Sequence, residues 1–409
     1  MRAFTLLRRL LGVREMFVLG CQIVEAGLLV TVRPRQRAPR CGRCGRRAAL
    51  YDSGRPRKWR HLAIGRDRVW LVYAPRRVSC RSCDAVVTEQ VPWAEHGSAF
   101  TRPFEEYVAY LAVVTDKTAV SRLTGIAWQS VGAIVERVVE RHRDATWLDG
   151  LRRIGLDEFS YRSRHRYITT VVDHDARRVV WAGEGRGSQT VCRFLDELGP
   201  ERCAALEVAT IDMAAGYRKA LEERVPHVQV VFDRFHVERL AHDALDEVRR
   251  EEQREVRDTP AASSLKRMRF TLLKSAWNLG LGEEDRLAEL QQRNRRVYRA
   301  YLLKEALGAA LGESSPQRAE LALRDWLAWA SRSKLRPFVR TARTIRKHLD
   351  GVLAYVRYKL TNGIVEGVNN RLRMIARRAY GFHGPGPLIA MLFLCCGGVR
   401  PKPPLPTQD

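Results

Sequence analysis

Apolar and polar positions change period several times along the chain, and the changes divide it. Residues 1–30 carry no sustained pattern. Residues 31–95 read as short strands between turns, with Arg68-Val-Trp-Leu-Val-Tyr73 as a strand and Ala74-Pro75 beginning its return. Helical spacing takes over at 96–145, where Phe104, Val108, Leu111 and Ala112 recur on one face behind a Thr101 cap and Pro103 in the first turn. A short helix then stops at Thr124-Gly125-Ile126, and a longer one runs over 128–141. Strands are expected at 153–157, 167–173 and 178–183, followed by a helix capped by Ser188 that buries Val191, Phe194, Leu195 and Leu198. A strand at 207–211, a helix at 214–224 and a strand at 227–232 complete a mixed α/β sheet. Residues 234 to about 340 are helical in composition, and the signal continues to Leu360. Thr361-Asn362-Gly363 breaks it, a last amphipathic helix follows, residues 381–387 form a turn, and the Pro-rich tail is expected to be disordered.

Charge changes the picture. Of 409 residues, 72 are Lys or Arg and 46 are Asp or Glu, a net of +26. The surplus is concentrated: residues 31–83 hold 16 basic residues against Asp52 and Asp67, and residues 341–380 hold nine against Asp350 and Glu366. Dense runs of one sign favour a polyanionic partner, nucleic acid first, over a merely solvated face. No apolar run is long enough to span a bilayer, and no cleavable leader is legible. Nine cysteines in a long chain fit a reducing cytosol better than a secreted disulfide scaffold.

Three groups of residues carry chemistry. Cys41-Gly-Arg-Cys44 and Cys80-Arg-Ser-Cys83, separated by a strand-forming segment, have the spacing of a zinc ribbon with four thiolates around a structural Zn²⁺. The helix-break-helix across Gly125 reads as a DNA-binding helix-turn-helix. Val120, Leu123, Ile126, Val131 and Ile134 would form its core, and Gln129 and Ser130 would face a major groove. A generic helical hairpin is the alternative.

The third group is acidic. Asp157 ends the first strand of the α/β region, Asp212 ends the fourth, and Glu366 lies in the first turn of the late helix. Each residue has an ordinary use as a turn former or a helix-dipole partner. Their apolar neighbours Leu156 and Ile211 favour a cation instead. Three hard oxygen ligands suit two Mg²⁺ or Mn²⁺ ions that clamp an in-line phosphoryl displacement. Strand alternation turns Glu158 away from Asp157, and a one-residue slip would exchange them. Glu366, Asn369, Asn370 and Arg373 share a helix face at i, i+3, i+4 and i+7. Arg373, Arg377 and Arg378 would position DNA through its phosphates. No Walker-type ATP motif occurs. Trp326, Trp329, Cys395 and Cys396 read as packing residues, and His165 and His174 as surface strand residues.

Over roughly residues 38–397 the sequence resembles the ISL-three family of bacterial insertion-sequence transposases. The four cysteines match its ribbon. Gly155-Leu-Asp-Glu-Phe159, Thr210-Ile-Asp-Met213, Thr361-Asn-Gly-Ile-Val-Glu-Gly-Val-Asn-Asn370 and Arg378-Ala-Tyr-Gly-Phe382 match its acidic core motifs. The resemblance implies an RNase H-like core of DDE type interrupted by a helical insertion. It divides the chain into an N-terminal segment (1–30), zinc ribbon (31–95), helix-turn-helix (96–145), first part of the core (146–238), insertion (239–339), second part of the core (340–397) and tail (398–409). It also implies that His236, in Asp233-Arg-Phe-His236, bonds the scissile phosphate or the 3′ hydroxyl. The implied activity is cleavage of the element's terminal inverted repeats and their joining to target DNA. The implied setting is the bacterial cytoplasm at the nucleoid, with a homodimer or larger assembly on DNA, without ATP or membrane. A catalytically inactive DNA-binding regulator and a metal-dependent nuclease that never joins are the alternatives.

Overall fold

The chain is described by a computed structural model that covers residues 3–162, 166–213, 215–378 and 384–403. Two compact units emerge, residues 1–144 with 378–409, and residues 145–377.

The first unit begins with α1 (Ala3–Leu10), β1 (Met16–Val24) and β2 (Gly27–Pro34), then β3 (Ala49–Ser53), β4 (Arg57–Ile64), β5 (Asp67–Tyr73), β6 (Arg76–Cys80) and β7 (Ala85–Thr88). One sheet runs β1-β2-β5-β4 and a smaller one β3-β6-β7. Residues 16–34, of which 16–30 carry no sustained pattern in the sequence, thus build a hairpin whose second strand pairs in parallel with β5. Met16, Val30, Val32, Trp59, Val69, Leu71 and Trp93 form the core of the larger sheet. Helices α2 (Arg102–Val114), α3 (Lys117–Thr124) and α4 (Trp128–His142) follow. Thr101 caps α2 by accepting from the Phe104 amide, with Pro103 in the first turn, as expected.

The second unit is built on strands β8 (Arg153–Arg162), β9 (Arg166–Asp173) and β10 (Arg178–Glu184), helices α5 (Ser188–Leu198) and α6 (Pro200–Ala204), β11 (Val208–Ile211), α7 (Ala215–Arg224) and β12 (Gln229–Phe232). The sheet order is β10-β9-β8-β11-β12. β8, β9 and β10 are antiparallel, whereas β11 lies parallel to both β8 and β12. This is the mixed sheet that the sequence pattern calls for. The residues expected to line α5 are buried, but Gly187 rather than Ser188 occupies the cap position.

Helices α8 (Arg234–Glu255), α9 (Pro260–Arg267), α10 (Arg269–Leu273), α11 (Leu281–Arg293), α12 (Arg295–Gly312), α13 (Pro316–Arg332) and α14 (Arg336–Lys347) interrupt the sheet region before α15 (Leu349–Tyr358) and α16 (Gly363–Arg378). One apolar core runs from Leu156 and Ile211 of the sheet through Val248 and Leu307 of these helices to Val352. Trp326 lies in it, while Trp329 is partly exposed. α17 (Pro385–Cys396) belongs to the first unit and packs on α4 and α2. No helix among the described residues is long and apolar enough to cross a membrane.

Candidate active site and DNA-binding elements

The parallel register of β8 and β11 pairs Gly155 with Thr210. Two residues further along the chain stand Asp157, within β8, and Asp212, just past the end of β11, both half-buried. Burial pushes the Asp157 carboxyl up to about 6. The Glu158 amide opposes the rise, while the Asp212 carboxylate adds to it and His236 offsets it. Asp157 Oδ1 accepts from the Glu158 amide at 2.8 Å, and Oδ2 accepts from Asn369 Nδ2 at 2.6 Å. Glu158 is also held up, by burial first and then by Asp212. Contrary to expectation, Asp157 does not end its strand: β8 continues to Arg162 because its pairing with β9 runs on past the aspartate, whereas Asp212 directly follows β11. Asp212 and His236, the latter at the start of α8, both lie within electrostatic reach of Asp157 and Glu158.

The late helix places its predicted residues unequally. Asn369 is buried against Asp157 rather than presented to solvent, and its Oδ1 has no hydrogen-bond partner among the described residues. Glu366, Asn370, Arg373 and Arg377 are exposed, and Arg373 Nη1 donates to Asn370 Oδ1 at 2.7 Å. Among the described residues, Asp157, Asp212 and Glu366 do not form a cluster whose ligand atoms all lie within 4.8 Å. A half-buried carboxyl that burial holds above its ordinary value, beside an amide oxygen unpartnered among the described residues, is a hard-donor set that a divalent cation would satisfy. The Arg378 side chain and residues 379–382 of the last motif lie outside the described residues, as does His165.

The sequence reading missed a polar layer behind these acids. His174 is not a surface residue: it is buried, and its Nε2 lies 2.7 Å from Thr210 Oγ1. Thr210, Asp233 and Asn362 are buried with it. Its partners are distant in sequence, so no local pattern signals the burial.

In the ribbon, Cys41 and Cys83 Sγ are 3.8 Å apart and Cys44 and Cys80 Sγ 3.6 Å. All four sulfurs lie within 4.8 Å of one another. A zinc–thiolate tetrahedron with bonds of about 2.3 Å has edges of about 3.8 Å, so the quartet fits a structural Zn²⁺ and leaves no ligand position open. Burial pushes the Cys41 thiol up, but the amides of Cys44 and Arg43 outweigh it and bring it to about 7.

In the helix-turn-helix, Asp116 caps α3 through the amides of Thr118 and Ala119 at 2.8 and 3.0 Å. Gly125 ends α3 at φ 67°, a left-handed turn that glycine permits. Val120, Val131 and Ile134 are buried, as expected. Leu123 is 66% exposed, because the buried stripe of α3 runs through Lys117, Val120 and Thr124 and leaves position 123 outside. Gln129 is exposed and Ser130 half-buried, both in the first turn of α4.

Three family models match in succession. Residues 37–83 match the zinc finger of the transposases of IS204, IS1001, IS1096 and IS1165, residues 89–139 the helix-turn-helix domain of transposase family ISL3, and residues 154–392 the DDE transposase domain of that family. The transposase of insertion sequence element IS1557 from two Mycobacterium tuberculosis strains is 37% identical, over 99% of this chain and 98% of the relative. The transposase of IS1001 from Bordetella parapertussis is 30% identical, over 87% of this chain and 88% of its own length.

Proposed function

The chain belongs to transposase family ISL3, and from that premise we propose that it binds the terminal inverted repeats of its own insertion sequence, cleaves the DNA there and joins the ends to target DNA. The observation that carries this reading is the meeting of three elements: Asp157 and Asp212 follow the paired positions of β8 and β11, and Asn369 bonds Asp157, which docks the helix bearing Glu366 against β8.

Asp157 and Asp212 would hold two Mg²⁺ or Mn²⁺ ions, with Glu366 as the third carboxylate. Bound there, such ions activate an attacking oxygen and stabilise charge on the transferring phosphoryl group. Asn369 fixes Asp157 Oδ2 and so orients the carboxylate. Glu366 stands on an exposed part of α16 in the free chain, and binding of the DNA end draws it inward. His236 bonds the scissile phosphate or the 3′ hydroxyl. Arg373, Arg377 and Arg378 hold phosphates and set the strand's position. Gln129 and Ser130 read base edges, and the basic ribbon adds salt-dependent affinity. Joining exchanges one phosphodiester for another, so no nucleotide is consumed. Two ends must be held together, which calls for at least two copies on DNA in the bacterial cytoplasm.

A joining assay tests the proposal. Pre-cleaved end duplexes, target plasmid and Mg²⁺ should give insertion products with the wild-type chain and none with Asp157→Asn. Cutting without joining would make the chain a nuclease; binding alone would make it a regulator.

A further inference from the structure

Four buried polar residues from separate parts of the chain meet at the turn before α16. The Thr210 hydroxyl, on β11, donates to Asn362 Oδ1. His174 Nε2, just past β9, lies 2.7 Å from Thr210 Oγ1 and is therefore the N–H donor of the pair. The Asn362 amide donates to Asp233 Oδ1 at 3.0 Å, just past β12. The Asn362 carbonyl in turn accepts from the Glu366 amide at 2.7 Å, the first helical bond of α16. All four are less than 9% exposed, and burial holds His174 below its ordinary value, hence neutral. The fit is close: a Cβ on Gly155 would lie 2.6 Å from Val365 Cγ2, 2.9 Å from His174 Nε2 and 3.0 Å from Thr210 Oγ1.

Buried polar groups are costly unless paired, and the bonds of this set hold it together, with Asn362 Nδ2 alone left without a partner among the described residues. Their common product is geometric. Two sheet-borne groups, the Thr210 hydroxyl and the Asp233 carboxylate, grip Asn362, with His174 holding Thr210 from behind, and the Asn362 carbonyl sets where α16 starts. We propose that His174, Thr210, Asn362 and Asp233 form a positioning network that anchors the start of α16 and thereby sets the distance of Glu366 from Asp157 and Asp212. The inference rests on the transposase reading for its consequence, but not for the anchoring itself.

The test compares Thr210→Val, which keeps the shape and removes the hydroxyl, with Thr210→Ser, which keeps the hydroxyl, in the full-length chain. Both should bind end duplex with wild-type affinity. Thr210→Ser should join at close to the wild-type rate. Thr210→Val should lose roughly 100-fold in joining rate, the cost of about 1 Å of misplacement, and need more Mn²⁺ for half-maximal rate. Amide exchange over residues 363–370 should speed up in the Val variant alone. Should Thr210→Val fail to fold, Asn362→Ala, which retains the main-chain bond to Asp233, should show the same losses. Wild-type joining by Thr210→Val, or unchanged exchange in α16, overturns the proposal. If the wild-type chain itself joins nothing while exchange still separates Val from Ser, the anchoring stands and the functional reading falls.

Discussion

Replacing Asp157 by Asn should abolish joining and yet make the metal-free core more stable. Burial and the Asp212 carboxylate raise the Asp157 carboxyl from 3.8 to about 6. At about 1.4 kcal/mol for each unit, the ionised group costs the folded chain about 3 kcal/mol above pH 6. The sign follows from linkage: with the folded value above the unfolded one, stability is full below about 3.8 and is lost as pH rises through 6. The introduced asparagine keeps the bond from the Glu158 amide. Asn369 can turn its unpartnered Oδ1 toward the new amide, so the substitution removes the charge without orphaning its neighbours. For a core of this size, about 3 kcal/mol corresponds to roughly 6–12 °C in Tm. Calorimetry in EDTA at about pH 8 should show that gain, and the gain should vanish toward pH 4. Added Mn²⁺ should raise the wild-type transition and leave the variant's unchanged. A variant no more stable than wild type at pH 8, or a difference independent of pH, refutes the reasoning.

Other outcomes follow from the same structure. Cys44→Ser should lower zinc content below one ion per chain by elemental analysis and weaken binding to end duplex, since the remaining three thiolates leave an open tetrahedron. Gln129→Ala should lose about 1–3 kcal/mol of discrimination between end and unrelated duplex in competition binding, with non-specific affinity unchanged. His61 is buried, with Nδ1 2.8 Å from Thr101 Oγ1 and Nε2 2.9 Å from the Leu11 carbonyl, and burial lowers it to about 4. Its folded value lies below the ordinary one, so stability is full above about pH 6.5 and falls by up to about 1.4 kcal/mol per unit toward pH 4. Denaturant midpoints of His61→Gln should flatten that slope. Gly155→Ala puts a methyl 2.6 Å from Val365; it should cost about 1–3 kcal/mol and slow joining more than it weakens end binding.

Much of the second unit's sheet was legible because its strands are short β-branched and apolar segments between turns, as at Val208–Ile211 before Asp212; the first strand reads too short in the sequence, since pairing with β9 carries β8 past Asp157 to Arg162. The cysteine doublets needed only their spacing. Other features depend on partners far away in the chain. Residues 16–30 look patternless because their hairpin is completed by β5. His174 looks like a surface residue until Thr210 is brought beside it. Asn369 shares a helix face with Glu366 in the sequence, yet Asp157 captures it and leaves Glu366 exposed. α17, almost wholly apolar, gives no hint in its own composition that it packs on α4 and α2.

The most direct measurement is a structure of the chain on its own end duplex with Mn²⁺. The account predicts manganese held by Asp157 and Asp212, with a Glu366 carboxylate oxygen drawn to about 2.1 Å from an ion and the scissile phosphate against the metals. Manganese bound elsewhere, or Glu366 still facing solvent beside a fully engaged DNA end, would contradict it.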